Sequence, residues 1–97
     1  MATYIMLVSY TQKGIENIKE SPARLDAARK MFEDMGGELK EFYLVSGKYD
    51  IVCVCEAPDG ETIAKWALAV GSKGGVRTET MRAYTEDEYR KIISALP

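Results

Sequence analysis

Two acids, Asp50 and Glu56, bracket the apolar run Ile51-Val52-Cys53-Val54-Cys55. Carboxylates held close together bind cations or share a proton, and one with a raised pKa serves as a general acid or base. Gly47-Lys48-Tyr49-Asp50 leads into the run, and Glu56-Ala57-Pro58-Asp59 leads out of it. Tyr49 offers an apolar wall with a polar tip, so Tyr49 and Asp50 make a candidate ligand rim, with Asp50 binding an amine or acting as a base. The same residues have a local reading as a hairpin device. Glycine permits a positive φ, and an Asp carboxylate caps turn amides. Asp59 suits a helix N-cap. Glu56 has no comparable local reason to be there, so it is the better candidate for chemistry.

A second polar cluster is Arg77-Thr78-Glu79-Thr80-Met81-Arg82. Strand alternation puts Thr78, Thr80, Arg82 and Tyr84 on one face and Arg77, Glu79, Met81 and Ala83 on the other. Arg82 is placed to clamp an anion, and Glu79 to pair with Arg77 or a ligand. The plainer reading is edge-strand protection or ion pairing between subunits. The candidate ligand-binding set is therefore Tyr49, Asp50, Glu56, Thr78, Glu79 and Arg82. No catalytic residue is assigned, and neither a cofactor nor a metal is expected. The Gly71-Ser72-Lys73-Gly74-Gly75 segment follows a helix rather than preceding one, the wrong polarity for a phosphate cradle. Trp66 reads as an exposed interface anchor or as a residue under the C-terminal helix.

The chain has no histidine, which removes Ser-His-acid, Cys-His and His-zinc chemistry. Its 13 bases against 15 acids include no basic run longer than a pair, so nucleic acid is not an expected partner. No run approaches the roughly 20 apolar residues of a membrane span. Met1 to Tyr10 lacks a basic leader and reads as a strand, so a cytoplasmic protein is expected. Cys53 and Cys55 point to one face of a strand and read as reduced core side chains.

The elements follow from the pattern. Thr3–Tyr10 is β-prone throughout, as a central strand is. Ser21 and Pro22 read as N-cap and first residue of a helix whose stripe is Leu25, Ala28, Phe32 and Met35, ended by Gly36-Gly37. Glu38–Val45 is an edge strand, with Leu39, Tyr43 and Val45 on one face and Lys40, Phe42 and Leu44 on the other. A hairpin leads to Ile51–Cys55, another central strand. Asp59 caps a helix over Gly60–Gly71, packed through Ile63, Ala67, Val70 and Gly71. Val76–Tyr84 is the fourth strand. Thr85 and Glu88 form a capping box for a last helix with the stripe Tyr89, Ile92, Ile93 and Leu96. The order is β-α-β-β-α-β plus a helix, a ferredoxin-like α+β plan with a four-stranded antiparallel sheet in one domain over residues 1–97. Both long helices then cover one sheet face. The other face, apolar and bare, predicts a second copy.

Gly47-Lys48-Tyr49-Asp50, Glu56-Ala57-Pro58-Asp59, the helix end Ala67-Leu68-Ala69 to Gly71-Ser72, and Val76 to Tyr84 resemble the GYD domain family. The opening Thr3-Tyr4 and Asn17 to Pro22 fit as well. The resemblance implies a ferredoxin-like domain of the dimeric α/β-barrel type and no particular reaction. The hairpin also resembles that of the effector-binding domains of leucine-responsive regulators, an analogy of fold. The preferred function is a homo-oligomeric module binding a small molecule at or near the subunit interface. The alternative is a small cofactor-independent enzyme, a monooxygenase, isomerase or lyase, using Asp50, Glu56 or Tyr49. A third is a pure assembly or regulatory partner.

Overall fold

The structure is a computed structural model that describes Met1–Pro97. The elements are β1 (Ala2–Tyr10), α1 (Gln12–Glu16), α2 (Ser21–Asp34), β2 (Glu38–Leu44), β3 (Ile51–Ala57), α3 (Gly60–Gly71), β4 (Val76–Ala83) and α4 (Glu86–Ser94). The sheet order is β2-β3-β1-β4, antiparallel throughout, with β1 and β3 in the middle. This is the α+β plan the periodicity predicts.

Alternation along the central strands sorts their side chains. Tyr4, Met6 and Val8 of β1 and Ile51, Cys53, Cys55 and Ala57 of β3 are buried beneath α2 and α3. Their neighbours Ile5, Leu7, Val52 and Val54 stay half-buried on the opposite face, which no helix covers. Phe32 of α2 and Trp66 of α3 stack with ring centroids 4.1 Å apart. Stacked aromatic pairs add to the stabilisation from burial. Trp66 is only 4 % exposed, and its indole N–H donates to the Ala28 carbonyl at 2.9 Å. It is thus neither a surface anchor nor a partner of the last helix. It locks α2 to α3.

Two further local expectations are corrected. Ser21 does not cap α2: a 3-10 turn over Ile18–Glu20 runs straight into the helix, so Ser21 is already helical. Its hydroxyl instead meets the Tyr10 hydroxyl at 3.0 Å, tying α2 to the end of β1. In β2 the register jumps between Leu39 and Glu41, leaving Lys40 as a bulge residue. A bulge reverses the alternation beyond it. Leu39 and Phe42 consequently share the core face, while Tyr43 turns outward.

The other caps form as expected. Asp59 accepts from the Thr62 N–H at 2.9 Å, and Thr85 with Glu88 completes a reciprocal capping box on α4. Gly36 ends α2 at φ 89°, a left-handed conformation that glycine adopts without steric cost. The helix α4 buries none of its residues, and Tyr89, Ile92, Ile93 and Leu96 are 46 to 61 % exposed. The radius of gyration, 14.6 Å, exceeds the about 13 Å of a compact 100-residue chain.

Candidate functional site

The structure divides the six candidate residues between the two ends of the sheet, with Tyr49, Asp50, Thr78 and Glu79 at one and Glu56 and Arg82 at the other. Of these, only Tyr49 and Glu79 are bonded to each other through their side chains. The Tyr49 hydroxyl donates to Glu79 Oε2 at 2.7 Å, joining the β2–β3 hairpin to β4. The accepting carboxylate, before any effect of burial or charge, pushes the Tyr49 phenol above its ordinary range. Tyr49 is therefore a proton donor to a fixed partner at neutral pH, and it has no use as a base. The Lys48 ammonium lies 5.7 Å from the Tyr49 ring centroid. Glu79 is opposite Leu7, on the uncovered face. Its partner is Tyr49, and it forms no ion pair with Arg77.

Asp50 sits at the same end of the sheet, with a structural task. Its Oδ2 accepts from the Tyr10 N–H at 2.8 Å, and its own N–H donates to the Val8 carbonyl at 2.9 Å. The side chain thus adds one more rung between β1 and β3, where the sequence suggested capping of the hairpin's own turn. Glu56 is at the other end of β3, half-buried on the uncovered face opposite Thr3 and Glu38. At about 3.3 Å of rise per residue, the length of β3 separates Asp50 from Glu56 by roughly 20 Å. They cannot share a proton or a cation within one chain. Asp59 is committed to Thr62, whose N–H and hydroxyl hold its carboxyl below the usual range.

Arg82 lies on the helix-side face opposite Tyr4. Its guanidinium stands 4.4 Å from the Tyr84 ring centroid and 5.7 Å from that of Tyr4, and it pairs with Glu88 at 3.5 Å. It also donates to the carbonyls of Thr3 and Ala83. An arginine engaged on so many sides is a joint between β4 and α4 rather than a free anion clamp. Cys53 and Cys55 are buried and unbridged. Burial pushes their thiols up to about 11 and about 12, against the small opposing effect of Arg29 on Cys53. Both are neutral at pH 7 and poor nucleophiles. No three His, Cys, Asp or Glu side chains gather in a way that would hold a metal ion. No helix is long and apolar enough to cross a membrane.

Thr78 belongs to a larger feature, which it lines together with Met6. A cleft of about 240 Å³ runs between the sheet and the helices α2 and α3. Met31, Leu39, Phe42, Ile51, Cys53 and Trp66 form its apolar part, while Ser21, Arg24, Lys73, Gly75 and Thr78 supply its polar groups. The signal available in the sequence was the small side chains Ala27, Ala28 and Gly75, which leave room where a larger stripe would close it. That signal is weak, because small residues also serve close packing.

Comparison with known proteins adds a lineage. The model of the GYD domain matches residues 4–93. A Thermus thermophilus protein described as a glutamine synthetase and cystathionine beta-lyase binding protein is 37% identical over 84 residues, covering 86% of this chain and 88% of that one. A solved structure of a protein from Thermus thermophilus superposes with TM-score 0.56 at 25% identity, over 88% of this chain and 95% of the other. The feast or famine regulatory protein of M. tuberculosis, solved with L-methionine, superposes with TM-score 0.65 at 14% identity, over 89% of this chain. This chain spans 54% of that regulator, and the likeness is one of fold.

Proposed function

The chain belongs to the GYD domain family, and from that premise we propose that it is a homo-oligomeric binding protein whose partners are metabolic enzymes. Two copies associate through the uncovered sheet faces as a dimeric α/β barrel. The observation that carries this reading is the row of half-buried Ile5, Leu7, Val52 and Val54 on a face with no helix of its own. Four strands at about 4.8 Å spacing and about 25 Å long offer on the order of 500 Å² of flat face. Stable interfaces bury roughly 800 Å² per partner. Met81 and Tyr43, exposed on the same face at the sheet margins, add to its apolar area.

The relative that binds glutamine synthetase and cystathionine beta-lyase supports enzymes of that kind as the partners. A small molecule, if one is held at the subunit interface, would meet the Tyr49–Glu79 pair, because Glu79 projects from the associating face. The enzyme alternative loses its paired-acid form with the separation of Asp50 from Glu56.

Light scattering coupled to gel filtration tests the assembly. A dimer or larger species at micromolar concentration is expected, and a clean monomer would falsify it. Immobilised chain should capture purified glutamine synthetase or cystathionine beta-lyase reversibly. Failure to retain either enzyme removes the partner assignment and leaves the assembly untouched.

A further inference from the structure

The cleft beneath α2 and α3 lies on the opposite side of the sheet from the proposed assembly face, so its use is independent of that reading. It crosses the sheet from β2, through Leu39 and Phe42, to β4, through Val76 and Thr78. The walls are chemically divided. At the β2 side the lining is wholly apolar, with Leu39 and Phe42 from the strand and Met31 and Trp66 from the helices. At the β4 side two cations line the space, Arg24 from α2 and Lys73 from the loop after α3, and no acid lines it anywhere.

The two cations are differently committed. One Arg24 amino group, Nη2, pairs with Glu20 at 2.9 Å. The other, Nη1, lies toward Gly75, within 3.0 Å of where a Cβ would stand on that residue. Gly75 thus leaves the guanidinium open space beside the lining. Lys73 enters none of the ion pairs of the chain. Tyr10 and Ser21, whose hydroxyls are bonded to each other at 3.0 Å, also line the cleft. A close-packed interior seldom leaves room beyond a single water. At about 30 Å³ per water-sized group, this cleft has room for roughly eight.

We propose that the cleft binds a small amphipathic carboxylate, with its apolar chain between Met31, Trp66 and Phe42 and its carboxylate at Arg24 and Lys73. A mostly apolar cleft with a few convergent polar groups is the usual form of a small-ligand site. A guanidinium fork with a free arm matches a carboxylate, and an unpaired ammonium completes the charge balance. Met6 and Met31 in the walls adapt to chains of differing shape.

Octanoate is the probe, with octylamine as its charge-reversed counterpart. Trp66, the one tryptophan of the chain, lines the cleft, so its emission reports filling directly. Octanoate is expected to change that emission saturably, and at least about tenfold more tightly than octylamine, the ratio that one charge-assisted contact supplies. The double variant Arg24→Gln with Lys73→Gln should weaken octanoate about tenfold or more while leaving the circular dichroism spectrum and the thermal midpoint in place. Ala28→Leu should block binding by filling the cleft. If that variant does not fold, the charge variants alone decide. Three results would overturn the proposal: no octanoate effect at millimolar concentration, equal binding of octanoate and octylamine, or unchanged octanoate binding in the double variant.

Discussion

The two faces of this sheet are made by the same strands and behave as different materials. Tyr4, Met6, Val8, Ile51, Cys53 and Cys55 look into the helices and are buried. Ile5, Leu7, Val52 and Val54 alternate with them, equally apolar, and remain half-buried. On the covered face the Trp66 N–H and the joined hydroxyls of Tyr10 and Ser21 bond internally, and Arg24 and Lys73 line the cleft. On the bare face the polar residues Glu56, Glu79 and Arg77 stand at the ends of the apolar row. The difference teaches that hydrophobic composition alone does not define a core. What defines it is the element that comes to rest on each face.

The comparison breaks most readily at the covered face. Phe32→Ala removes a fully buried ring and one half of the aromatic stack, and should cost about 3–5 kcal/mol, read from urea unfolding. A loss under about 1 kcal/mol would show that the helices do not rest on the sheet as described. On the bare face Leu7→Lys should leave the fold intact but weaken self-association by about thirtyfold or more, the effect of a hot-spot residue. Sedimentation equilibrium measures it, and an unchanged dimer would move the assembly surface elsewhere. Asp50→Ala removes a carboxylate from a half-buried backbone N–H and should cost on the order of 1–3 kcal/mol. Faster hydrogen exchange at the Tyr10 amide should accompany it.

A smaller effect is set by pH. The folded-state pKa values of Cys53 and Cys55 are raised from the ordinary 9.0 to about 11 and about 12. The unfolded chain thus releases these protons first as pH rises. Stability from the neutral thiols is complete below pH 9 and is lost progressively between 9 and about 11 to 12. Denaturant midpoints against pH should show that fall, and Cys55→Ala should flatten it. The smallest effect is at the rim. Tyr49→Phe should not measurably shift the thermal midpoint, whereas Glu79→Gln should return the Tyr49 phenol toward its ordinary titration, followed by ultraviolet absorbance.

The element order, the Asp59 cap, the Thr85–Glu88 box and the Gly36 helix end were readable from the chain because each rests on a period or on neighbours three residues apart. Lys40 was not readable. A bulge is a choice between two strands, and nothing in Glu38 to Leu44 alone announces it. Trp66 was misplaced because its partner Phe32 lies on another helix, and Ser21 because the preceding turn is already helical. The candidate site was harder still. Tyr49 and Glu79 are 30 residues apart, and Asp50 and Tyr10 are 40 apart, so their pairing needed the sheet order. Residue type pointed to the right carboxylates and could not say which backbone or side chain each would meet.

The bulge at Lys40 also bears on how the proposed assembly would close. It falls in the edge strand β2, among the exposed charges of Glu38, Lys40 and Glu41. Edge strands bent and charged in this way reject a further strand. Strand-to-strand addition repeats without limit and leads to fibres, whereas joining two identical faces is finished after a single partner. In the face-to-face assembly proposed above, one extra residue in β2 disfavours polymer and favours a closed, countable particle.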